Sequence, residues 1–313
     1  MKTPRPRFTG IIPPVCTPLT PELGVDVASL RRLVEHLVGA GVDGLFVLGS
    51  TSEVAFLTAE QRAQVAETVV ESVSGRVPVL AGVIDMTTPR VIEHAETAAK
   101  IGVDAMVATA PFYTRTHPAE IARHFRLLHD AVDLPIFAYD LPVSVHSKLD
   151  GAMLLDLAAD GVLCGVKDSS GDDAGLRNLL VQRADRGADV AGFSVLTGSE
   201  TTVDAALAMG VDGAVPGLAN VDPEGYVQLL RTCRDGDWVT ARTQQERLLR
   251  LMRLVDAAPS TRMGRGSSAL GAFKAALKLR GVIACAATAP PQIPLDDAEI
   301  AFVRAHLIEA GLL

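Results

Sequence analysis

Lys167 ends the apolar run Gly161-Val162-Leu163-Cys164-Gly165-Val166 and is followed by Asp168, Ser169, Ser170, Gly171 and Asp172. Desolvation at the end of a buried strand disfavours an ammonium ion, and the freed amine can add to a carbonyl carbon to give an imine. The same lysine could instead turn outward and pair with Asp168 or Asp172. A second candidate is Leu48-Gly49-Ser50-Thr51-Ser52-Glu53, just before a helix that should start near Thr58. Hydroxyls and backbone N–H groups in such a loop can hold a carboxylate, or can simply cap the loop and the helix. The third signal is tyrosine placement. The chain has only Tyr113, Tyr139 and Tyr226, and the first two fall just after apolar runs. Their phenols could relay protons, or pack at a strand end with a wetted hydroxyl.

Other chemistries find less support. His124 and His129 are five apart on an expected helix, so they do not share a face, and no His-x-His occurs. This disfavours a metal-dependent aldolase. Phosphate would sit in the loops Thr197-Gly198-Ser199-Glu200 and Pro216-Gly217-Leu218-Ala219-Asn220, but Glu200 would repel it. With 29 Lys and Arg against 37 Asp and Glu, the formal charge of −8 argues against nucleic acid or an anionic membrane as partner. Cys16, Cys164, Cys233 and Cys285 show no paired spacing, which suits a reducing cytoplasm. The first ten residues carry Lys2, Arg5 and Arg7 but are broken by Pro4 and Pro6 and lead into no apolar signal core, and no apolar run is long enough to span a membrane.

The elements that would position these groups read as repeated βα modules. Eight short runs rich in Val, Ile and Ala begin near Ile11, Gly44, Val79, Ala105, Pro135, Leu163, Phe193 and Gly213, with longer stretches of helical period between them. Gly41-Val42-Asp43, Gly102-Val103-Asp104 and Gly210-Val211-Asp212 each close a helix on a glycine cap and open a strand. Val77-Pro78 and Leu134-Pro135 end helices by proline instead. With no Gly-x-Gly-x-x-Gly after the first run, a closed α/β barrel, the (β/α)8 TIM barrel, is favoured over a doubly wound open sheet. The barrel with its active site should occupy residues 1–221. Residues 222–313 should hold the last barrel helix and a C-terminal helical region, with amphipathic stretches at Trp238–Val255, Ser267–Arg280 and Asp296–Glu309. In such a barrel the reactive groups lie at the C-terminal ends of the strands, where Lys167, Tyr139, Tyr113 and Ser50-Thr51 all fall.

Taken together, Gly49-Ser50-Thr51-Ser52-Glu53, Pro111-Phe112-Tyr113, Tyr139-Asp140-Leu141-Pro142 and Gly165-Val166-Lys167-Asp168, in this order, resemble the dihydrodipicolinate synthase and N-acetylneuraminate lyase superfamily of pyruvate-dependent class I aldolases. The resemblance implies that Lys167 forms the imine with a 2-keto acid and that Tyr139 moves protons, and since a protonated imine itself stabilises the enamine, no metal or cofactor is expected. Ser50 and Thr51 would hold the pyruvyl carboxylate, and Ser50 would link Tyr139 to Tyr113. In relatives the equivalent of Tyr113 comes from a neighbouring subunit, which implies a dimer as the minimal competent unit, and the family's usual form implies a homotetramer built as a dimer of dimers. Backbone at Val215 would face the substrate, and Ser169 and the Gly198 to Glu200 loop would meet its distal part.

Two departures bear on the substrate. Ser52 stands where the family usually has glycine, which should stiffen or reshape the carboxylate loop. Ser144, followed by Val145 and His146, stands where true synthases carry an arginine for the second substrate's carboxylate, and without a guanidinium that clamp is lost. Ser144, His146, Ser169 and Glu200 suit hydroxyl groups better. The expected activity is therefore a Schiff-base lyase, aldolase or dehydratase, acting on a hydroxylated 2-keto acid such as a 2-keto-3-deoxy sugar acid. The alternatives are the synthase that condenses pyruvate with aspartate semialdehyde, and a barrel that only binds. His146 can equally be a surface residue beside Lys148, and Asp140 can orient the pocket or cap the following loop.

Overall fold

The computed structural model describes residues 8–313, so the Lys2, Arg5 and Arg7 part of the N-terminal segment lies outside the described residues. Eight parallel strands run in the order β1-β8-β7-β6-β5-β4-β3-β2. They are β1 Gly10–Ile11, β2 Leu45–Val47, β3 Val79–Gly82, β4 Ala105–Thr109, β5 Ile136–Asp140, β6 Gly165–Asp168, β7 Ser194–Thr197 and β8 Gly213–Ala214. Each begins within two residues of its expected start. The ring closes where chain flanking β1 meets β2: Asp43 N–H donates to Ile11 C=O (2.8 Å), Phe46 N–H to Pro13 C=O (2.9 Å) and Val15 N–H to Phe46 C=O (2.8 Å). The expected α/β barrel is what forms.

Helices follow the strands as α1 Val27–Gly39, α2 Ala59–Val73, α3 Thr88–Ile101, α4 Pro118–Ala131, α5 Pro142–Val145, α6 Gly151–Ala159, α7 Asp173–Arg186 and α8 Val203–Met209. After β8 come α9 Pro223–Arg234, α10 Trp238–Met252, α11 Arg265–Leu279 and α12 Asp297–Glu309, close to the three amphipathic stretches read from the sequence. Among the described residues, no helix is long and apolar enough to cross a membrane.

The Gly-Val-Asp repeat does two jobs. Gly41, Gly102 and Gly210 have φ of 84°, 89° and 100°, the left-handed conformation that ends a helix and that a side chain would resist. The aspartate two residues later then satisfies a backbone donor on a neighbouring strand. Asp43 accepts from Ile11 N–H (2.8 Å), Asp104 from Val79 N–H (2.8 Å) and Asp212 from Val195 N–H (2.7 Å). One short motif thus stops a helix and fixes the register of the next strand pair.

Two apolar layers divide the strand faces. Phe8, Ile12, Phe46, Phe137, Tyr139, Leu196 and Val215 fill the barrel interior, while alternate residues such as Ile136, Ala138 and Val166 pack outward against the helices. Gly165 faces inward beside Phe137, and a Cβ there would overlap the Phe137 ring. Since parallel neighbours in register share a face, the next inward pair up the barrel is Tyr139 and Lys167. The fold therefore sets these two groups side by side at the C-terminal rim.

Candidate active site

Lys167 reaches the rim inside the barrel and is 6% exposed. Its Nζ lies 4.0 Å from the centroid of the Tyr139 ring and 5.1 Å from that of Phe46, and the two rings meet edge to face at 6.3 Å. The outward ion-pair reading of this lysine is not what forms. Asp168 faces the other way, where it accepts from Ser170 N–H (2.8 Å), and Asp172 caps α7 by accepting from Gly175 N–H (2.8 Å).

Tyr139 is buried, and its hydroxyl lies 3.5 Å from Ser50 Oγ. Burial works to raise the phenol pKa. The Lys167 cation and hydrogen bonds with Lys167, Ser50 and Ser169 outweigh it, so the phenol titrates below its ordinary value. A phenol that gives up its proton more readily and hydrogen-bonds to an amine can exchange protons with an adduct formed on that amine.

The loop after β2 is a tight turn. Ser52 N–H donates to Gly49 C=O (3.1 Å), Glu53 N–H to Ser50 C=O (3.0 Å) and Val54 N–H to Gly49 C=O (3.3 Å). The left-handed residue is Glu53, with φ of 61°, and not Ser52. Serine in place of glycine is accommodated without that strain, and its buried hydroxyl donates to Val15 C=O (2.5 Å), tying the loop to the chain after β1. Helix α2 starts where expected, with Thr58 and Gln61 forming a capping box.

Ser50 and Thr51 line a cavity of about 620 Å³ with Ser144 and Glu200. Ser50 touches Tyr139 from this wall, and Glu200 interacts electrostatically with Lys167. Burial raises the Glu200 carboxyl pKa despite the opposing pull of Leu218 N–H, which donates to its Oε1 (2.6 Å), and of Lys167. The Glu200 main chain is held by Tyr226 Oη and Gln245 Nε2, donating at 2.9 Å and 3.1 Å to its C=O. Tyr226 is thus a buried structural tyrosine.

The other candidates divide. Val215 is buried in the barrel interior, its N–H donating to Thr197 C=O (2.8 Å). Ser169 and Gly198 border a neighbouring cleft with Thr197 and Thr202, although Ser169 also reaches Tyr139. Gly198 has no room for a side chain, since a Cβ would overlap Ser169 Oγ. His146 is exposed at the C-terminal cap of α5, and Tyr113 is 89% exposed on backbone with φ of 79°. Neither lines the cavity that holds Ser50 and Thr51, and Lys167 and Tyr139 meet that cavity only through Ser50, whose Oγ lies 3.5 Å from the Tyr139 hydroxyl. Asp140 faces outward and caps the following loop, accepting from Leu149 N–H (3.1 Å) and pairing with Lys148.

Sequence reasoning missed the far wall. Gly264, Ser267, Leu270 and Phe273, at the start of α11 and along it, face the cavity together with Gln292. Beside Phe273, Lys274 is fully buried and paired with Glu53 Oε2. Ala289 N–H donates to Glu53 Oε1 and Lys274 Nζ to Ala287 C=O, both at 2.7 Å. The available signal was a lysine in the middle of the apolar run Gly271-Ala272-Phe273-Lys274-Ala275-Ala276-Leu277. Among the described residues, no three His, Cys, Asp or Glu side chains gather as a metal site would require.

Comparison with known proteins agrees with this geometry. The chain is 32% identical to YagE of Escherichia coli, which bears the provisional name 2-dehydro-3-deoxy-D-gluconate aldolase, over 97% of this chain and 98% of that one. It is 32% identical to a 4-hydroxy-tetrahydrodipicolinate synthase of Phenylobacterium zucineum over 98% and 99% of the two chains. The crystal structure of YagE in complex with pyruvate superposes with a TM-score of 0.89, covering 98% of this chain and 99% of that one. Residues 7–310 match the dihydrodipicolinate synthetase family, and the chain belongs to it.

Proposed function

We propose that this lyase works through a Schiff base on Lys167 and cleaves a hydroxylated 2-keto acid, of the 2-keto-3-deoxy sugar acid kind, to release pyruvate. The observation that carries the reading is the Lys167–Tyr139–Ser50 cluster under the cavity wall, with the amine 4.0 Å from the phenol ring and Ser50 Oγ 3.5 Å from its hydroxyl. Ser50 and Thr51 hold the pyruvyl carboxylate. The Lys167 amine adds to the keto carbon, the carbonyl oxygen leaves as water, and a protonated imine remains. Loss of the proton from the C4 hydroxyl breaks the C3–C4 bond. The aldehyde leaves, and the electron pair passes into the imine to give an enamine. Protonation at C3 and hydrolysis then return the amine and pyruvate. Tyr139, its pKa lowered beside Lys167, moves the protons in these steps.

Ser144 on the cavity wall favours a substrate with hydroxyls over one with a second carboxylate, because serine can exchange hydrogen bonds with a hydroxyl but cannot neutralise an anion. The name carried by YagE points the same way. The synthase reaction with aspartate semialdehyde is the second reading, supported by the synthase relative of equal identity. The cysteines, three of them buried and none in a disulfide, suit a cytoplasmic enzyme. The test is borohydride reduction in the presence of pyruvate, followed by a panel of 2-keto-3-deoxy acids scored for pyruvate release and for water loss. A trapped adduct on Lys167 with cleavage of a panel member is expected. No adduct, or condensation of pyruvate with aspartate semialdehyde in preference to any cleavage, overturns the reading.

A further inference from the structure

We propose that the buried Glu53–Lys274 ion pair is a positioning unit that holds the Ser50–Thr51 loop and the Gln292 side of the cavity in one arrangement, so that pyruvate binds tightly only while the pair is intact. The proposal rests on the carboxylate role given above to Ser50 and Thr51.

Both side chains are fully enclosed, at 0% exposure each. Removing two charges from water costs more than a packed apolar pair of the same volume, so stability alone gives no reason to place them there. What the charges do is fix geometry. Glu53 sits on backbone with φ of 61°, a conformation that costs a non-glycine residue free energy and persists only when its surroundings hold it. Lys274 and Ala289 N–H hold its two carboxylate oxygens from the C-terminal side of the cavity. The Glu53 N–H in turn donates to Ser50 C=O (3.0 Å), and Ser50 Oγ lies 3.5 Å from the Tyr139 hydroxyl. The link thus runs from Lys274 through Glu53 and Ser50 to the proton-transfer phenol.

The same pair reaches the opposite wall. Lys274 follows Phe273, which lines the cavity, and donates to Ala287 C=O (2.7 Å). With Glu53 holding Ala289 N–H, residues 287–289 are gripped at both ends, and the chain leaving them reaches Gln292 on the cavity wall. One ion pair therefore sets both the loop assigned to the carboxylate and part of the wall facing the rest of the substrate.

The test uses the charge-neutral double variant Glu53→Gln/Lys274→Met. The amide keeps an acceptor for Ala289 N–H, and the thioether side chain fills the lysine's volume. Pyruvate is titrated in the presence of borohydride and the trapped fraction read by intact mass, with thermal melting measured alongside. The expected result is a melting temperature close to wild type and a half-saturating pyruvate concentration raised by about tenfold or more, since small displacements of positioning groups cost that much. Unchanged half-saturation in the folded double variant overturns the proposal and leaves the imine chemistry standing. Failure of the wild-type protein to form any adduct overturns both. Should the double variant not fold, Glu53→Asp, which keeps both charges but draws the carboxylate back by one methylene, is read in the same titration, with the same outcome required.

Discussion

Asp140 and Asp168 stand opposite one another across β5 and β6, one step beyond Tyr139 and Lys167, and share Lys148 as their cation. Lys148 Nζ contacts Asp140 directly and lies 3.9 Å from Asp168 Oδ2. Both carboxylates face the helices and are nearly buried, at 1% and 7% exposure. Like charges directly opposite on paired strands repel, so this cation decides how well β5 and β6 hold together at the layer where the reactive pair sits.

Lys148→Met should therefore destabilise the fold by about 1–3 kcal/mol at neutral pH, less than for a fully buried pair because Lys148 is partly exposed. The pH dependence has a definite sign. Burial raises the Asp140 pKa, against the pull of Lys148 and Leu149 N–H and with the help of Asp168. A carboxyl raised in the folded state favours folding when protonated, and that contribution is lost as pH rises through its folded pKa. Removing the cation raises it further, so the deficit should be largest near pH 8 and shrink as the pH falls toward 5. Urea midpoints of both proteins at the two pH values check this, and equal deficits would rule out charge repulsion as the cause.

The lowered Tyr139 pKa depends on Lys167. With Lys167→Met the cation goes while burial stays, so the phenol should titrate at higher pH than in wild type, read by ultraviolet difference titration. Tyr226, raised well above the ordinary value by burial, does not interfere. The same variant should form no borohydride-stable adduct with pyruvate, and an upward shift without loss of the adduct would place the imine on another lysine.

Tyr139→Phe separates chemistry from packing. The ring keeps its edge-to-face contact with Phe46 at 6.3 Å, so melting should change little. Losing the hydroxyl should slow both adduct formation and turnover by about 10²- to 10³-fold. If kcat stays within about threefold of wild type, Tyr139 is not the proton carrier.

The strands were legible because their signals are local. Each helix in the Gly-Val-Asp repeat ends on a glycine at positive φ, and each apolar run outlines one strand. Lys167, Tyr139 and Ser50 could be found because the barrel brings strand ends together wherever they fall in the chain. Glu53 was visible as part of a motif, yet its partner lies on α11, and no local pattern links residue 53 to residue 274. The same holds for the wall formed by Leu270 and Phe273, since an amphipathic helix shows which face is apolar without showing what covers it. How Ser52 acts on its loop was hidden for a related reason: the left-handed angle belongs to Glu53, and only the fold shows that the Ser52 hydroxyl ties the loop to Val15.

Tyr113 is a large aromatic, 89% exposed, on backbone with φ of 79°, a conformation that a bulky residue avoids without a constraint. Completing the Ser50 relay in a neighbouring subunit would supply that constraint, as the family resemblance implies. Tyr113→Phe should then leave the melting temperature unchanged and lower kcat by about ten- to a hundredfold. Lys167→Met and Tyr113→Phe should also complement each other when co-expressed. A mixed dimer holds one site with the Lys167 of one chain and the Tyr113 of the other both intact, and random pairing makes half the dimers mixed. The mixture should therefore recover about a quarter of wild-type turnover per chain, well above the mean of the two parents. Activity no higher than that mean would confine the relay to a single chain and leave Tyr113 outside it.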